Sequence, residues 1–275
     1  MSVALRKWLV FLLLCGLSLT FLFPIIWSFS TSLKSLDQVF EFPPKLWIND
    51  AKWENYPRAL TRLPFFRFIG NSLILSICTT SGQVLTASMV GFAFARLRWP
   101  GRDAWFVVLM LTMMLPGQVL LIPQYLLFHW LGWVNTYKPL IVPGWLGGGA
   151  FFIFLFRQFF RGIPRELEDA ARIDGATTWQ IYWRIFLPNC KPVIATVAIL
   201  AFIANWKDFM GPLIYLSDFN SCPISLGLRM YQAIEGAWVN YLMAASLVAL
   251  SPLVLLFFFA QRYFIGGLLL SGSKS

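Results

Sequence analysis

Charge is scarce in this chain of 275 residues: 12% of its side chains are Asp, Glu, Lys or Arg, where a soluble domain carries roughly 25%. Histidine is almost missing. His129 stands alone, which excludes a histidine-based metal centre and a Ser/His pairing at membrane depth, and suits an interfacial residue better than a proton relay. Cys15, Cys78, Cys190 and Cys222 are scattered without a CxxC spacing, so neither a zinc site nor a disulfide framework is expected. No GxxxxGK[ST] phosphate loop occurs, so the chain cannot hydrolyse ATP through that device. A Pro/Gly/Ser linker and a clear internal repeat are also missing, and the latter argues against inverted-repeat carriers.

What is present is hydrophobic sequence, 58% of the residues. Runs free of Asp, Glu, Lys and Arg cover Trp8–Leu33, Phe68–Ala95, Ala104–Tyr137, Pro139–Phe156, Pro192–Trp206 and Gly236–Gln261, and a span needs roughly 20 mostly apolar residues. The reading is an all-α integral membrane protein: one transmembrane domain, residues 1–275, with six helices near 8–30, 68–95, 105–128, 139–160, 190–210 and 240–262. The first run has too long an apolar core for a cleaved signal peptide and no small-x-small site after it, so it is expected to be retained. Lys and Arg flank the helices unevenly: Arg6 and Lys7, then Arg96, Arg98 and Arg102, then the Arg157–Lys191 stretch, then Arg262 and Lys274. The positive-inside rule puts these on the cytoplasmic side, with both termini. That topology accounts for most of the net charge of +10, and no nucleic acid partner is implied. The outer loops are then 31–67, 129–138 and 211–239.

Some membrane helices carry polar residues. Helix three reads MMLPGQVLLIPQYLL, with Pro116, Gln118, Pro123 and Gln124; prolines kink a helix, and such kinks persist where neighbours or a water-filled cavity satisfy the freed carbonyls. Helix four holds Gly147, Gly148 and Gly149, which permit close approach or an irregular backbone. Helix five ends in FIANWKDFMGPLIYL, where Asn205, Lys207 and Asp208 are costly unless paired, snorkelling or facing water. Gln118, Asn205, Trp206 and Asp208 are the candidates for a translocation path or gate; ordinary helix packing and a snorkelling Lys207 are the competing account.

The polar stretch 161–191, between the fourth and fifth apolar runs, is punctuated as a helix, a bend and a second helix. Pro164 suits a first helical turn, and Glu166, Glu168 and Asp169 complement the positive end of the helix dipole. Leu167, Ala170, Ala171 and Asp174 recur at i, i+3, i+4 and i+7 and share one narrow face. Glu168 and Arg172 can pair outside it. Gly175 offers the left-handed conformation that ends a helix. Thr177 or Thr178 can cap the next, whose apolar side is Trp179, Tyr182, Trp183 and Phe186 and which Leu187-Pro188 should stop. A structured loop without any partner satisfies the same pattern.

The segment resembles the EAA signature of the ABC importer permeases of the binding-protein-dependent type: Glu-Ala-Ala, three residues, Gly, nine residues, Ile-x-Leu-Pro. Asp169-Ala170-Ala171, Gly175 and Ile185-Phe186-Leu187-Pro188 keep that spacing, with Asp169 where the pattern has Glu and Glu168 just before it. LEDAARIDGATTWQIYWRIFLP, LPGQVLLIPQYLL, PLIVP, FRQFFRGIP and NWKDF are similar to the versions in permeases of maltose and other carbohydrate importers, so the resemblance covers most of residues 68–263. It implies that Glu168, Asp169, Ala170, Ala171, Asp174, Gly175, Ile185, Leu187 and Pro188 form a cytoplasmic coupling segment, its helix seated on a partner ATPase. It further implies a second related permease subunit, two ATP-binding cassette ATPases that bind the ATP and Mg, an external solute-binding protein, and a place in the bacterial cytoplasmic membrane. No cofactor is expected in this chain. The function expected is that of a non-catalytic permease subunit for a sugar, oligosaccharide, polyol or glycerol phosphate. A free-standing channel or proton-coupled carrier is the alternative, and an intramembrane enzyme a weaker one, since no His/Asp/Glu cluster sits at membrane depth.

Overall fold

A computed structural model describes residues 3–48, 50–233 and 238–272, with side chains over 5–48, 50–232 and 238–261. Lys274, the side chain of Arg262 and part of the third outer loop lie outside the described residues. Every regular element among the described residues is helical. Four helical stretches are long and apolar enough to cross a membrane: Leu5–Ser32, Phe65–Arg96, Lys138–Gly162 and Val239–Gln261. Two more candidates are bent pairs, so the chain has four spans, or up to six if each pair is one span.

The contacts divide the chain into two compact units, 1–66 with 227–252, and 67–226 with 253–275. In the first, α1 (Val3–Ser32) presents an apolar surface with Trp8, Leu12, Leu19 and Phe21 all more than half exposed. The long loop expected on the outer side, 31–67, folds into α2 (Leu36–Val39) and α3 (Asn55–Arg62). Buried Asn55 holds them down: its Nδ2 donates to the carbonyls of Ser32 at 2.8 Å and Lys34 at 2.9 Å. Asn240 adds a third such bond to Lys34 O, the Lys34 ammonium lies 5.3 Å from the centre of the Trp27 ring, and Arg62 stacks on Trp238 at 4.2 Å.

The second unit is organised around α4 (Phe65–Arg96). Next come α5 (Arg102–Thr112), a 3₁₀ turn at Gly117–Leu120, and α6 (Leu121–Trp130). The expected third helix, 105–128, is therefore broken: α5 and the Gly117–Trp130 segment meet at 92°. The break falls at Met113–Pro116, where Pro116 is extended at ψ 129 and, without an N–H, cannot bond back to Thr112. α7 (Lys138–Trp145) and α8 (Ala150–Gly162) are interrupted by Gly147, Gly148 and Gly149 at φ 130, 71 and 92. At Gly148 the demand is double. Its backbone is left-handed, and a Cβ placed there would run into the backbone carbonyl oxygen of Gln83 and stand 2.7 Å from both Cβ and N of Ala87, all on α4. Gly148→Ala is expected to cost about 2–5 kcal/mol, about 1–2 from positive φ and about 1–3 from overpacking against the α4 backbone, read as a lower melting temperature in detergent; an unchanged melt would mean that the α4 contact yields freely.

After α9 (Glu166–Ile173), the second helix of the 161–191 stretch comprises α10 (Thr178–Ile181), a π-helical turn at Tyr182–Phe186, and α11 (Leu187–Asn189). Leu187-Pro188 does not stop it as expected. The widened i→i+5 turn precedes Pro188 and absorbs its missing donor, and the helix ends at Cys190. It meets α12 (Lys191–Lys207) at 79°. α13 (Met210–Tyr215) and the start of α14 (Ile224–Ala233) follow, and α15 (Val239–Gly272) closes the chain. A core of Phe92, Phe156, Phe160, Tyr182 and Phe186 lies where α4, α8 and the α10–α11 helix meet. Phe92 is edge-on to Phe160 and Phe186, and Phe160 to Phe186, with centroids 5.0–5.9 Å apart; each such pair adds about 0.5–1.5 kcal/mol beyond its buried area.

Candidate functional site

α9 is a short acidic helix set apart by two turns. Its first turn carries Glu166, Glu168 and Asp169, and the Arg165 carbonyl accepts from the amides of Glu168 and Asp169 at 2.9 Å. Its end is closed by amides of Asp174, Gly175 and Ala176 bonding back to Ala170, Arg172 and Ala171, with Gly175 at φ 79. One residue on, Thr177 and Gln180 form a capping box: Thr177 Oγ1 accepts from the Gln180 amide at 3.3 Å, and Gln180 Oε1 from the Thr177 amide at 2.8 Å.

The structure separates the expected coupling residues into two sets. Asp169, Ala170, Asp174 and Gly175 are exposed and form an outward face, which Leu167, not among the expected coupling residues, shares. The Asp169 carboxylate has no hydrogen-bond or ion-pair partner among the described residues. Ile173, 86% exposed, adds to this face an apolar contact that the helical periodicity does not single out. Ala171, Ile185 and Leu187 instead turn inward and pack on the aromatic core, while Pro188 is exposed.

Glu168 also turns inward, 8% exposed. Its Oε1 accepts from Arg172 Nη2 at 2.8 Å, and its Oε2 lies 3.8 Å from Nη1 of Arg96, at the end of α4. Arg96 is equally enclosed. Its Nη2 donates to the carbonyl of Phe160 at 2.6 Å and to that of Ile163, and its guanidinium lies 4.8 Å from the centre of the Phe186 ring. Beside α9 opens a cleft of about 620 Å³ lined by Arg98, Arg102, Arg165 and Arg172 against Glu168 and Asp169, so Asp169 is a lone free carboxylate at the rim of a basic hollow.

The path candidates are not gathered as a group. Asn205 Nδ2 donates to Thr80 Oγ1 at 3.1 Å and Gln83 Oε1 at 2.9 Å, tying α12 to α4. Asp208 follows α12 directly; its Oδ1 accepts from the Gly211 amide at 3.2 Å, and its carbonyl from Ser225 Oγ at 2.7 Å. Asn205 and Asp208 share a hollow of about 20 Å³ with Ser72, Thr79 and Leu140, room for about one water. Trp206 is buried, stacked on Phe202 at 5.7 Å. Gln118 is exposed in the turn at the break of helix three and is not among the residues lining that hollow.

The chain is similar to known proteins in sequence and in fold. The family model of the binding-protein-dependent transport system inner membrane component matches residues 84–268. The arabinooligosaccharides transport system permease protein AraQ of Bacillus subtilis is 33% identical over 94% of this chain and 92% of its own length, and AraQ of Halalkalibacterium halodurans is 37% identical over 76% and 75%. The sn-glycerol-3-phosphate transport system permease protein UgpE of Brucella abortus is 33% identical, with 90% of both chains covered. In fold, the chain is similar to one in the crystal structure of a bacterial ABC transporter involved in the import of the acidic polysaccharide alginate, with a TM-score of 0.83, 24% identity, and coverage of 96% of this chain and 99% of that one. On the family match and the near full-length relatives, the chain belongs to the binding-protein-dependent transport system inner membrane components, as a permease subunit of an ABC importer and not an enzyme.

Proposed function

We propose that the chain is one half of the pore of an importer for a carbohydrate or a glycerol phosphate, a single permease domain crossing the membrane six times with both termini in the cytoplasm. Two relatives that cover nearly its whole length carry arabinooligosaccharides and sn-glycerol 3-phosphate in their names, which supports that substrate class. A second related permease subunit completes the pore. Two ATPase subunits bind ATP and Mg, and an external binding protein delivers the substrate; a solved relative of 18% identity and TM-score 0.64 comes from an alginate transporter in complex with its periplasmic protein.

The observation that carries the coupling role is α9, whose outward face sets apolar Leu167 and Ile173 beside an unpaired Asp169 and ends in the left-handed turn at Gly175. Such a face suits a groove on a cytoplasmic partner. The partner drives transport only if it grips α9 differently in its two nucleotide states, because a contact of equal strength in both shifts nothing.

The test is uptake by cells lacking this chain alone, offered radiolabelled arabinotriose, sn-glycerol 3-phosphate and an alginate trisaccharide. Loss of one of these uptakes, restored when the chain is supplied and lost again when the ATPases are removed, is the expected result. Uptake by purified chain in vesicles without any ATPase would point instead to a free-standing carrier. Asp208→Asn, at the hollow below α13, is expected to lower uptake while the ATPases stay bound; equal loss of ATPase binding from that change would mark Asp208 as structural.

A further inference from the structure

An eight-residue helix does not hold its own place. In water, isolated helices shorter than about 12–15 residues are marginal, and α9 is joined to its neighbours by Ile163–Arg165 on one side and the Gly175 turn on the other. Both joints can bend. A push applied to the outward face of α9 would be spent in them unless the helix is fastened to the membrane helices directly.

Arg96 supplies such a fastening. From the last residue of α4 its guanidinium reaches the final turn of α8 at the Phe160 carbonyl, the α8–α9 connection at the Ile163 carbonyl, and the Glu168 carboxylate of α9. It also lies on the face of Phe186, in the π-helical turn of the following helix. Its side chain is 4% exposed and that of Glu168 10%, so water reaches these contacts only from the cleft that both residues line. The planar fork of arginine can span several acceptors at once in a fixed geometry, which a lysine ammonium cannot do.

We infer that Arg96 is a positioning residue that makes α9 move as one body with α4 and α8, through its bridge to Glu168, and so carries motion at the docking face to the membrane helices. The inference rests on the coupling role proposed for α9. It gives the two neighbouring acids different roles, with Glu168 fastening the helix from inside and Asp169 facing the partner.

The test uses the assembled transporter in nanodiscs with Arg96→Met, Arg96→Lys and Glu168→Gln. ATP hydrolysis is measured with and without the binding protein, purified with the ligand it carries, and ATPase retention is measured by gel filtration. The ATPases are expected to stay bound while stimulation by the binding protein falls about fivefold in Arg96→Met and Glu168→Gln, the order expected for mutations along a coupling network. Arg96→Lys, keeping the charge but not the fork, should fall between these and the unaltered protein. Unchanged stimulation in Arg96→Met and Glu168→Gln overturns the inference, and so does loss of assembly in step with stimulation in all three variants. Asp169→Lys in parallel separates the two claims. If it releases the ATPases while the Arg96 variants keep full stimulation, only the fastening role falls; if it leaves them bound, the coupling role falls and takes the fastening with it.

Discussion

Gly175→Val is expected to leave the chain inserted in the membrane but to reduce recovery of the ATPases about thirtyfold. Gly175 sits at φ 79, and a Cβ built there meets nothing within 4 Å. The cost is therefore all backbone: left-handed geometry costs an L-residue roughly 1–2 kcal/mol, and a β-branched one sits at the upper end. About 2 kcal/mol is about thirtyfold in an equilibrium. That strain falls on the turn whose amides close the carbonyls of Ala170, Ala171 and Arg172, so relieving it lets the last turn of α9 unwind and displaces Ile173 and Asp174 from the docking face. Asn tolerates the left-handed region far better than Val, so Gly175→Asn should keep most of the ATPase. Co-purification of the ATPases with each variant in detergent reads the difference. Full retention by the valine variant would show that the turn does not set the docking face.

The features of α9 that are legible in the sequence are local ones. Acids in the first turn, glycine after the last and a threonine to cap the next helix act within a few residues, and Glu166–Ile173, Gly175 and Thr177 all follow the punctuation, with Gln180 completing a capping box that is not among the expectations. The apolar runs likewise mark the long helices, with Phe65–Arg96 extending the expected 68–95 by three residues at one end and one at the other. What escapes depends on distance or angle. Pro116 announces a bend, but nothing in the sequence says that it turns the chain through 92°. Glu168 and Asp169 look interchangeable beside each other, and only Arg96, far away in the sequence, decides which faces inward. Ile173 lies off the i, i+3, i+4 set that defines the narrow face, so periodicity alone does not find it. A large apolar residue at the end of a polar helix is the signal that could have.

Asp169→Lys is expected to weaken ATPase binding about a hundredfold, the largest single effect from the docking face. The fold gives no reason for Asp169 to matter by itself: it is exposed, has no partner among the described residues, and does not touch the core. A surface change of that kind usually alters stability by no more than about 0.5 kcal/mol, so a large loss has to come from the interface. Losing one member of a hydrogen-bonded charge pair buried on binding costs about 2–5 kcal/mol, and reversing the sign among Arg98, Arg165 and Arg172 adds repulsion to the loss. Asp169→Asn should fall between, and Asp169→Glu should bind as well as the native residue or better, because a glutamate stands there in the EAA signature that this segment resembles. Surface plasmon resonance of the ATPase on nanodisc-held permease, repeated at two salt concentrations, reads both affinity and charge dependence. The native pair should lose affinity as salt rises, since charges near the rim are screened over about 10 Å at 0.1 M, and the Asp169→Asn pair should lose less. Equal salt dependence in the two would mean that the carboxylate the ATPase recognises is not Asp169, leaving Glu166 and Asp174 as the other exposed acids of this helix and its end.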